Sequence, residues 1–416
     1  MQITTDKAKK GFADLESMVR ERAQEYIQSV LEDEVEELLC RVRCARRDAD
    51  SPTGYRNGHG EARRLSTSIG TITVKRPRVR GTSKEFVSRV LPLFVRRTDQ
   101  VSELLPQLYL HGLASGDFEL AMRGLLGEGA PLSSSSILRL KAVWQAEYES
   151  WKQRSLEGVE VVYIWVDGIY VKAGLEKEKA AVLVVIAALS DGTKQILALE
   201  SGYRESEASW AGILRDLKAR GLICPRLVIG DGNLGIWSAL NNVFPAAEQQ
   251  RCWNHRMRNI LDCVGDKKQE QAKELLRKVM YAPSQAEAVK AKHVFQVWAR
   301  GLGYGKAADA LDRDWERMVA YYALPKEHWV HLRTTNIIES PFASVRLRTA
   351  ASKRYKRVDG ATAMIWKLLR VAEQTFRRLN SPELLTDVLA GAVYKDGIKL
   401  TQATTEAIGA DQRMAA

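Results

Sequence analysis

The stretch from Val161 to Glu200 constrains this chain more than any other. It holds three successive segments rich in Val, Ile and Leu, at 161–173, 180–189 and 194–200. Ala180 to Leu189 is apolar without interruption. That length and composition suit a strand buried on both faces, and they fall well short of the roughly 20 residues needed to cross a bilayer. A sheet centred here is predicted, with no membrane-spanning segment.

Helix and strand signals alternate after it. A helix is predicted over about 205–221, with Trp210, Ile213, Leu214 and Leu217 on one face and with Gly221 and Pro225 as stop signals. A strand follows at 226–231, then a helix near 234–243, a short segment at 248–252, and a helix containing His255. Residues 266–330 carry helical periodicity throughout, and 357–379 reads as a last amphipathic helix. The order of three strands, helix, strand, helix, strand is that of a ribonuclease-H-like α/β core, a mixed sheet flanked by helices. The all-helical block 266–330 would be an insertion in it, tolerated because it leaves the sheet connections intact.

The N-terminal part has another texture. Residues 7–47 read as helix, 51–60 as a turn-rich break, and 65–73 as a short hairpin around Gly70. Lys75-Arg76-Pro77-Arg78-Val79-Arg80 leaves that hairpin as a basic arm. Residues 98–156 read as three helices, the last beginning at the serines 133–136, compatible with a helix-turn-helix unit whose last helix carries Arg139 and Lys141. The expected organisation is 1–97 for dimerisation and DNA binding, 98–156 as a helical DNA-binding domain, and 157–265 as the first part of the core. The insertion 266–330, the completion of the core with C-terminal helices at 331–400, and a tail at 401–416 follow.

Three carboxylates occupy distinctive settings. Asp167 closes the apolar run Val161–Val166, Asp231 closes Arg226–Gly230, and Glu339 lies at a predicted helix entrance in Arg333-Thr334-Thr335-Asn336-Ile337-Ile338-Glu339. Each has a plainer reading alone: turn formation for Asp167-Gly168 and Asp231-Gly232, a capping box for Asn336 to Glu339. Together they match what phosphodiester chemistry needs. Two Mg²⁺ or Mn²⁺ ions, which prefer carboxylate oxygen to Cys or His, can be shared among three acids. The expected arrangement has Asp167 bridging, with Asp231 and Glu339 each completing one metal site. His255 is a candidate to orient a phosphate or assist proton transfer; a structural histidine is the alternative. Trp237, Trp253 and Trp329 are core residues or base-stacking platforms.

Net charge is +12, and its distribution says more than its size. Arg41 to Arg97 contains 15 Lys or Arg against 4 Asp or Glu, and a second cluster, Arg346, Arg348, Lys353, Arg354, Lys356 and Arg357, follows Glu339. Such clusters fit contacts to phosphate backbones. The candidates are Arg76, Arg78, Arg80, Arg97, Arg139, Lys141, Arg333, Arg346, Arg348, Lys353, Arg354 and Arg357. The 5 cysteines are scattered and odd in number, which argues against a disulfide framework. Cys40 and Cys44 with His59 lack a fourth ligand for zinc. With no leader pattern at Met1, a cytoplasmic location is expected.

Four ordered blocks resemble those of the Mutator-type transposases of bacterial insertion sequences. They are Trp165-Val166-Asp167-Gly168-Ile169-Tyr170-Val171-Lys172, Gly230-Asp231-Gly232-Asn233-Leu234-Gly235-Ile236-Trp237, Gln250-Arg251-Cys252-Trp253-Asn254-His255 and Arg333-Thr334-Thr335-Asn336-Ile337-Ile338-Glu339-Ser340. Gly54-Tyr55-Arg56-Asn57-Gly58 resembles the N-terminal part of the same family. The resemblance implies a catalytic triad of Asp167, Asp231 and Glu339, a Cys252-x-x-His255 block near it, and binding to the terminal inverted repeats of the protein's own element. It also implies a homodimer on paired ends and circular intermediates. The leading expectation is a transposase that cleaves DNA and transfers the 3′-OH to target DNA. The alternatives are a ribonuclease-H-like nuclease or resolvase without strand transfer, and a domesticated DNA-binding protein.

Overall fold

A computed structural model describes residues 3–83, 85–92, 95–113, 118–126, 134–173, 180–202, 204–232, 234–351, 355 and 357–400. The chain divides into two compact units, Met1–Leu140 and Lys141–Ala416. Among the described residues no helix is long and apolar enough to cross a membrane.

The first unit contains α1 (Ile3–Leu39), an antiparallel hairpin of β1 (Tyr55–Thr67) and β2 (Gly70–Arg80), then α2 (Asp99–Leu110) and α3 (Phe118–Leu126). Helix α4 (Ser134–Lys152) follows. Leu31 of α1 packs with Leu65, Ile72, Val74 and Leu91 into a small core. Glu34 fastens the 88–91 loop to α1, accepting from the Ser88 hydroxyl at 2.5 Å and the Arg89 backbone N–H at 2.8 Å.

The structure corrects two expectations in this unit. The helix stops at Leu39 instead of 47, because Cys40 and Cys44 take left-handed backbone angles, φ 49° and 67°. The basic arm 75–80 is not a free arm but the second half of β2, since the hairpin is far longer than its apolar centre. Register shifts between Arg56 and His59 and between His59 and Ala62 absorb the turn-rich residues as bulges.

The second unit is built on a five-stranded mixed sheet of order β5-β4-β3-β6-β7. Strands β3 (Val161–Val171), β4 (Ala180–Leu189) and β5 (Lys194–Gly202) form an antiparallel meander. Strands β6 (Leu227–Gly230) and β7 (Glu248–Arg251) run parallel to β3, reached through α5 (Glu207–Ala219) and α6 (Leu234–Val243). The predicted strands and helices of this region are present, shifted by a few residues at their ends.

Alternation along β3 explains the two layers around the sheet. Ile164 and Val166 enter the core shared with Trp210, Leu214 and Leu217 of α5 and with Ile236 and Leu240 of α6. Tyr163 and Trp165 face the other side, where the Tyr163 hydroxyl meets His328 Nδ1 at 2.9 Å and Trp165 Nε1 donates to the His331 carbonyl at 3.0 Å. Side chains two apart share a face, so Asp167 projects on the side of Tyr163 and Trp165.

After α7 (Trp253–Leu261) comes the predicted helical block: α8 (Asp266–Met280), α9 (Gln285–Gly301), α10 (Gly305–Asp312), α11 (Trp315–Val319) and α12 (Trp329–Leu332). Asp314 ties it to the end of the sheet, pairing with Arg251 at 2.6 Å, Arg317 at 3.1 Å and Arg256 at 3.5 Å. The chain then returns to β3 through α13 (Asn336–Ala351) and covers β5 with α14 (Val358–Glu373). Helix α15 (Glu383–Leu389) and a small hairpin of β8 (Tyr394–Lys395) and β9 (Ile398–Lys399) complete the unit. Trp237, Trp253 and Trp329 are all buried, which makes them core residues.

Candidate active site at the ends of β3, β6 and β7

Parallel pairing aligns the first two acids. Trp165 pairs with Ile229, so two residues further on Asp167, within β3, and Asp231, just past the end of β6, come to the same level. Asp167 is half-buried, and Oδ1 accepts from the Gly168 backbone N–H at 2.8 Å. Its carboxyl is pushed up to about 7, chiefly by burial and further by the charges of Asp231 and Glu205; the Gly168 hydrogen bond and His255 act against the shift. Asp231 is also half-buried. Gly232 follows it with φ +93°, and a side chain there would run into the Arg251 guanidinium. The glycine lets the Asp231 loop lie directly over Arg251.

Glu339 sits in the first turn of α13 and His255 in the first turn of α7. His255 Nδ1 is 3.9 Å from Glu339 Oε1. The imidazole is held up to about 9, first by its hydrogen bond to Cys252, then by the charges of Cys252, Glu339 and Asp167, with burial opposing. At neutral pH His255 is therefore a cation among carboxylates, suited to donate to an anion.

Two participants escaped the sequence reading. Thr335, fully buried, lies with its hydroxyl 2.6 Å from Glu339 Oε1, 3.2 Å from Cys252 Sγ and 3.5 Å from His255 Nδ1. Its one sequence signal is its place just before the helix start at Asn336. Glu205, only 8% exposed, adds its charge to Asp167 and hydrogen-bonds Tyr170. A Cβ on Gly168 would come within 2.9 Å of the Glu205 carboxyl carbon, so the glycine after Asp167 makes room for a fourth acid. Nothing in the pattern around Glu205 marks it as an acid of the site.

The basic candidates fall into different settings. In the first unit Arg78 and Arg80 are exposed along β2. Arg76 is half-buried and donates to the Phe86 carbonyl at 2.6 Å. Arg97 is half-buried, and burial and then the neighbouring charge of exposed Arg139 lower its pKa. Lys141, the first residue of the second unit, is half-buried.

In the second unit Arg346 and Arg357 are exposed, the latter 3.6 Å from Asp359. Arg348 is buried at 2% exposure. The Arg333 guanidinium lies within 5.0–5.4 Å of the ring centroids of Tyr281, Tyr321 and Trp329, a packing role. Lys353, Arg354, Lys356, Asp117, Ser133 and the tail 401–416 lie outside the described residues. Cys40 and Cys44 are exposed, and His59 is engaged by Glu32 at 2.6 Å.

The acids Asp167, Asp231 and Glu339 offer hard oxygen donors. Cys252, His255 and Glu339 form a second possible donor group, with ligand atoms within 4.8 Å of one another. The Thr335 hydroxyl, within 3.5 Å of all three, fills the space a metal would take there.

Similarity to known proteins spans both units. The family model described as "Transposase, Mutator family" matches residues 1–378. The transposase for insertion sequence element IS6120 of Mycolicibacterium smegmatis is 43% identical over 73% of this chain and 94% of its own length. The transposase for IST2 of Acidithiobacillus ferrooxidans is 39% identical over 67% and 94% respectively. Among solved structures, the Drosophila P element transposase strand transfer complex matches 70% of this chain and 91% of that one, at 14% identity. Its TM-score of 0.27 is too low to bear on the fold.

Proposed function

Because this chain belongs to the Mutator family of transposases, we propose that it is the DNA transposase of an insertion sequence, acting on the terminal inverted repeats of its own element and on target DNA. The observation that carries the catalytic reading is that Asp167 feels the charges of Asp231 and His255 while His255 feels those of Asp167 and Glu339, residues from chain segments far apart in sequence. The sheet order, with three antiparallel strands followed by two parallel ones, supports a ribonuclease-H-like core interrupted by α8–α12.

The donor set fits hard divalent cations. Burial and neighbouring carboxylates make an ionised Asp167 costly, and positive charge from a cation would relieve it. Asp167, Asp231 and Glu339 would hold Mg²⁺ or Mn²⁺ ions, Asp167 nearest the Asp231 charge that such a cation would offset. Bound there, the ions would acidify an attacking hydroxyl and stabilise the departing oxygen.

The protein's own groups do the rest. His255, held as an imidazolium, donates to a non-bridging phosphate oxygen, and the paired backbones of β3 and β6 keep the two aspartates at one level. In the first reaction a water oxygen bonds to phosphorus while the bond to the 3′ oxygen breaks, leaving a 3′-OH and a 5′-phosphate. In the second that 3′-OH attacks a target phosphate and the target's 3′ oxygen leaves. Each step exchanges one P–O bond for another, so no nucleotide energy source is required.

Exposed Arg78, Arg80, Arg346 and Arg357 supply phosphate contacts, and helices α2 to α4 supply a helix-turn-helix-like reader, in a homodimer on paired ends. The test is an assay with pre-cut element ends, target DNA and Mg²⁺. Joined products are expected. Cleavage of uncut ends without any joining would instead identify a nuclease.

A further inference from the structure

Glu339 reaches the sheet from a segment separated from β7 by the whole helical block, so something must hold it in register with the two aspartates. The contacts around Cys252 join these segments. Its backbone N–H donates to the carbonyl of Gly230, the residue before Asp231, at 2.7 Å. Its sulfur accepts the Thr335 backbone N–H at 3.3 Å. The next residue, Trp253, donates its N–H to the Arg333 carbonyl at 2.9 Å. Cys252 is thus fastened on one side to the strand that ends in Asp231 and on the other to the segment that launches α13.

We propose that Thr335 is a positioning residue that aims the Glu339 carboxylate, and that Cys252 holds Thr335 for this task. A threonine hydroxyl has one proton to give. The 2.6 Å contact to Glu339 Oε1 is the shortest of its three polar contacts, so the proton goes to the carboxylate, a charge-assisted bond. The sulfur and the imidazole Nδ1 lie at 3.2 and 3.5 Å on its other sides. The Thr335 carbonyl meanwhile accepts the Glu339 backbone N–H at 3.0 Å. Glu339 is held by the same residue at its backbone and at its side chain, which leaves its carboxylate little freedom to swing away from His255. The Cys252-x-x-His255 spacing then has a physical sense: the sulfur braces Thr335 from one side while His255, one turn into α7, faces the carboxylate that Thr335 holds.

The inference rests on the catalytic reading of Glu339, and the experiment separates the two. Thr335→Val removes the hydroxyl at nearly constant volume, Thr335→Ser keeps it, and Cys252→Ala removes the brace. Full-length protein is assayed for element-end cleavage across a Mg²⁺ titration, beside end binding and thermal melting. Thr335→Val and Cys252→Ala are expected to lose about 10–100-fold in cleavage and to need several-fold more Mg²⁺ for half-maximal rate, with end affinity kept. Thr335→Ser is expected to stay within about threefold of the parent, because it keeps the hydroxyl-to-carboxylate bond.

Parental rate and parental Mg²⁺ requirement in Thr335→Val would overturn the proposal. So would equal losses in the Val and Ser variants accompanied by loss of end binding, which would assign Thr335 to the fold alone. A Glu339→Gln control that cleaves at the parental rate would overturn the catalytic reading itself. An inactive Glu339→Gln beside a normal Thr335→Val would remove only the positioning role.

Discussion

Asp167 in β3 and Asp231 just past the end of the adjacent parallel strand β6 each lie two residues beyond the paired Trp165 and Ile229, and the charge of Asp231 raises the pKa of Asp167. Two carboxylates in this relation resist joint ionisation without positive charge between them. Proton binding, metal binding and folding are all linked through that repulsion.

Cleavage should depend on pH through Asp167. Its carboxyl titrates at about 7, so it is protonated below that pH and unavailable as a ligand. The rate at fixed, subsaturating Mg²⁺ is expected to rise as pH increases through about 7, and more Mg²⁺ should move the midpoint downward by competing with the proton. A midpoint that ignores Mg²⁺ would separate this titration from metal binding.

Stability should carry the opposite sign in metal-free protein. The folded-state pKa lies above the ordinary value of 3.8, so between these limits the folded state binds the extra proton. Its contribution is fully present below about 4 and is lost as pH rises through about 7. Asp167→Asn, permanently neutral, should therefore be more stable than the parent at pH 8 by about 1–3 kcal/mol and no more stable at pH 4. Thermal melts in chelator at both pH values check this. An identical difference at the two would contradict it.

Gly168 and Glu205 should be coupled. Gly168→Ala drives a methyl into the Glu205 carboxylate and should cost about 1–3 kcal/mol. In a Glu205→Ala background the same substitution should cost less, by about 1 kcal/mol. A double-mutant cycle in denaturant reads the difference; strict additivity would show that the two do not meet.

The arginines should separate by setting. Neutralising exposed Arg78 and Arg80 together should weaken end binding and flatten its salt dependence by about one unit for each phosphate they neutralise. Arg333→Leu should leave that slope unchanged while lowering the melting temperature, because its guanidinium is enclosed by Tyr281, Tyr321 and Trp329. Binding isotherms at several salt concentrations distinguish the two classes.

The sheet was legible because its signal is local: the apolar runs ending in Asp167 and Leu189 can be little else but buried strands, and Gly221 and Pro225 mark the end of α5. Asp167 was picked out as the first break in an apolar run, but β3 continues past it to Val171, and only Asp231 follows a strand end, that of β6. Thr335 and Glu205 were not, because their significance exists only across the fold: Thr335 meets a sulfur 83 residues away, and Glu205 meets a glycine on another element. The hairpin was read too short because bulges and basic residues hide its alternation at His59 and Pro77. The end of α1 depended on left-handed cysteines that no periodicity announces.

If Asp167, Asp231 and Glu339 together carry the chemistry, none can be spared. The most direct measurement is Mg²⁺-dependent cleavage and joining of element ends by Asp167→Ala, Asp231→Ala and Glu339→Ala, each with end binding measured in parallel. A loss of roughly 10³-fold or more in both reactions is expected for every variant, with binding retained. Joining at the parental rate by Asp231→Ala in Mg²⁺ would contradict it.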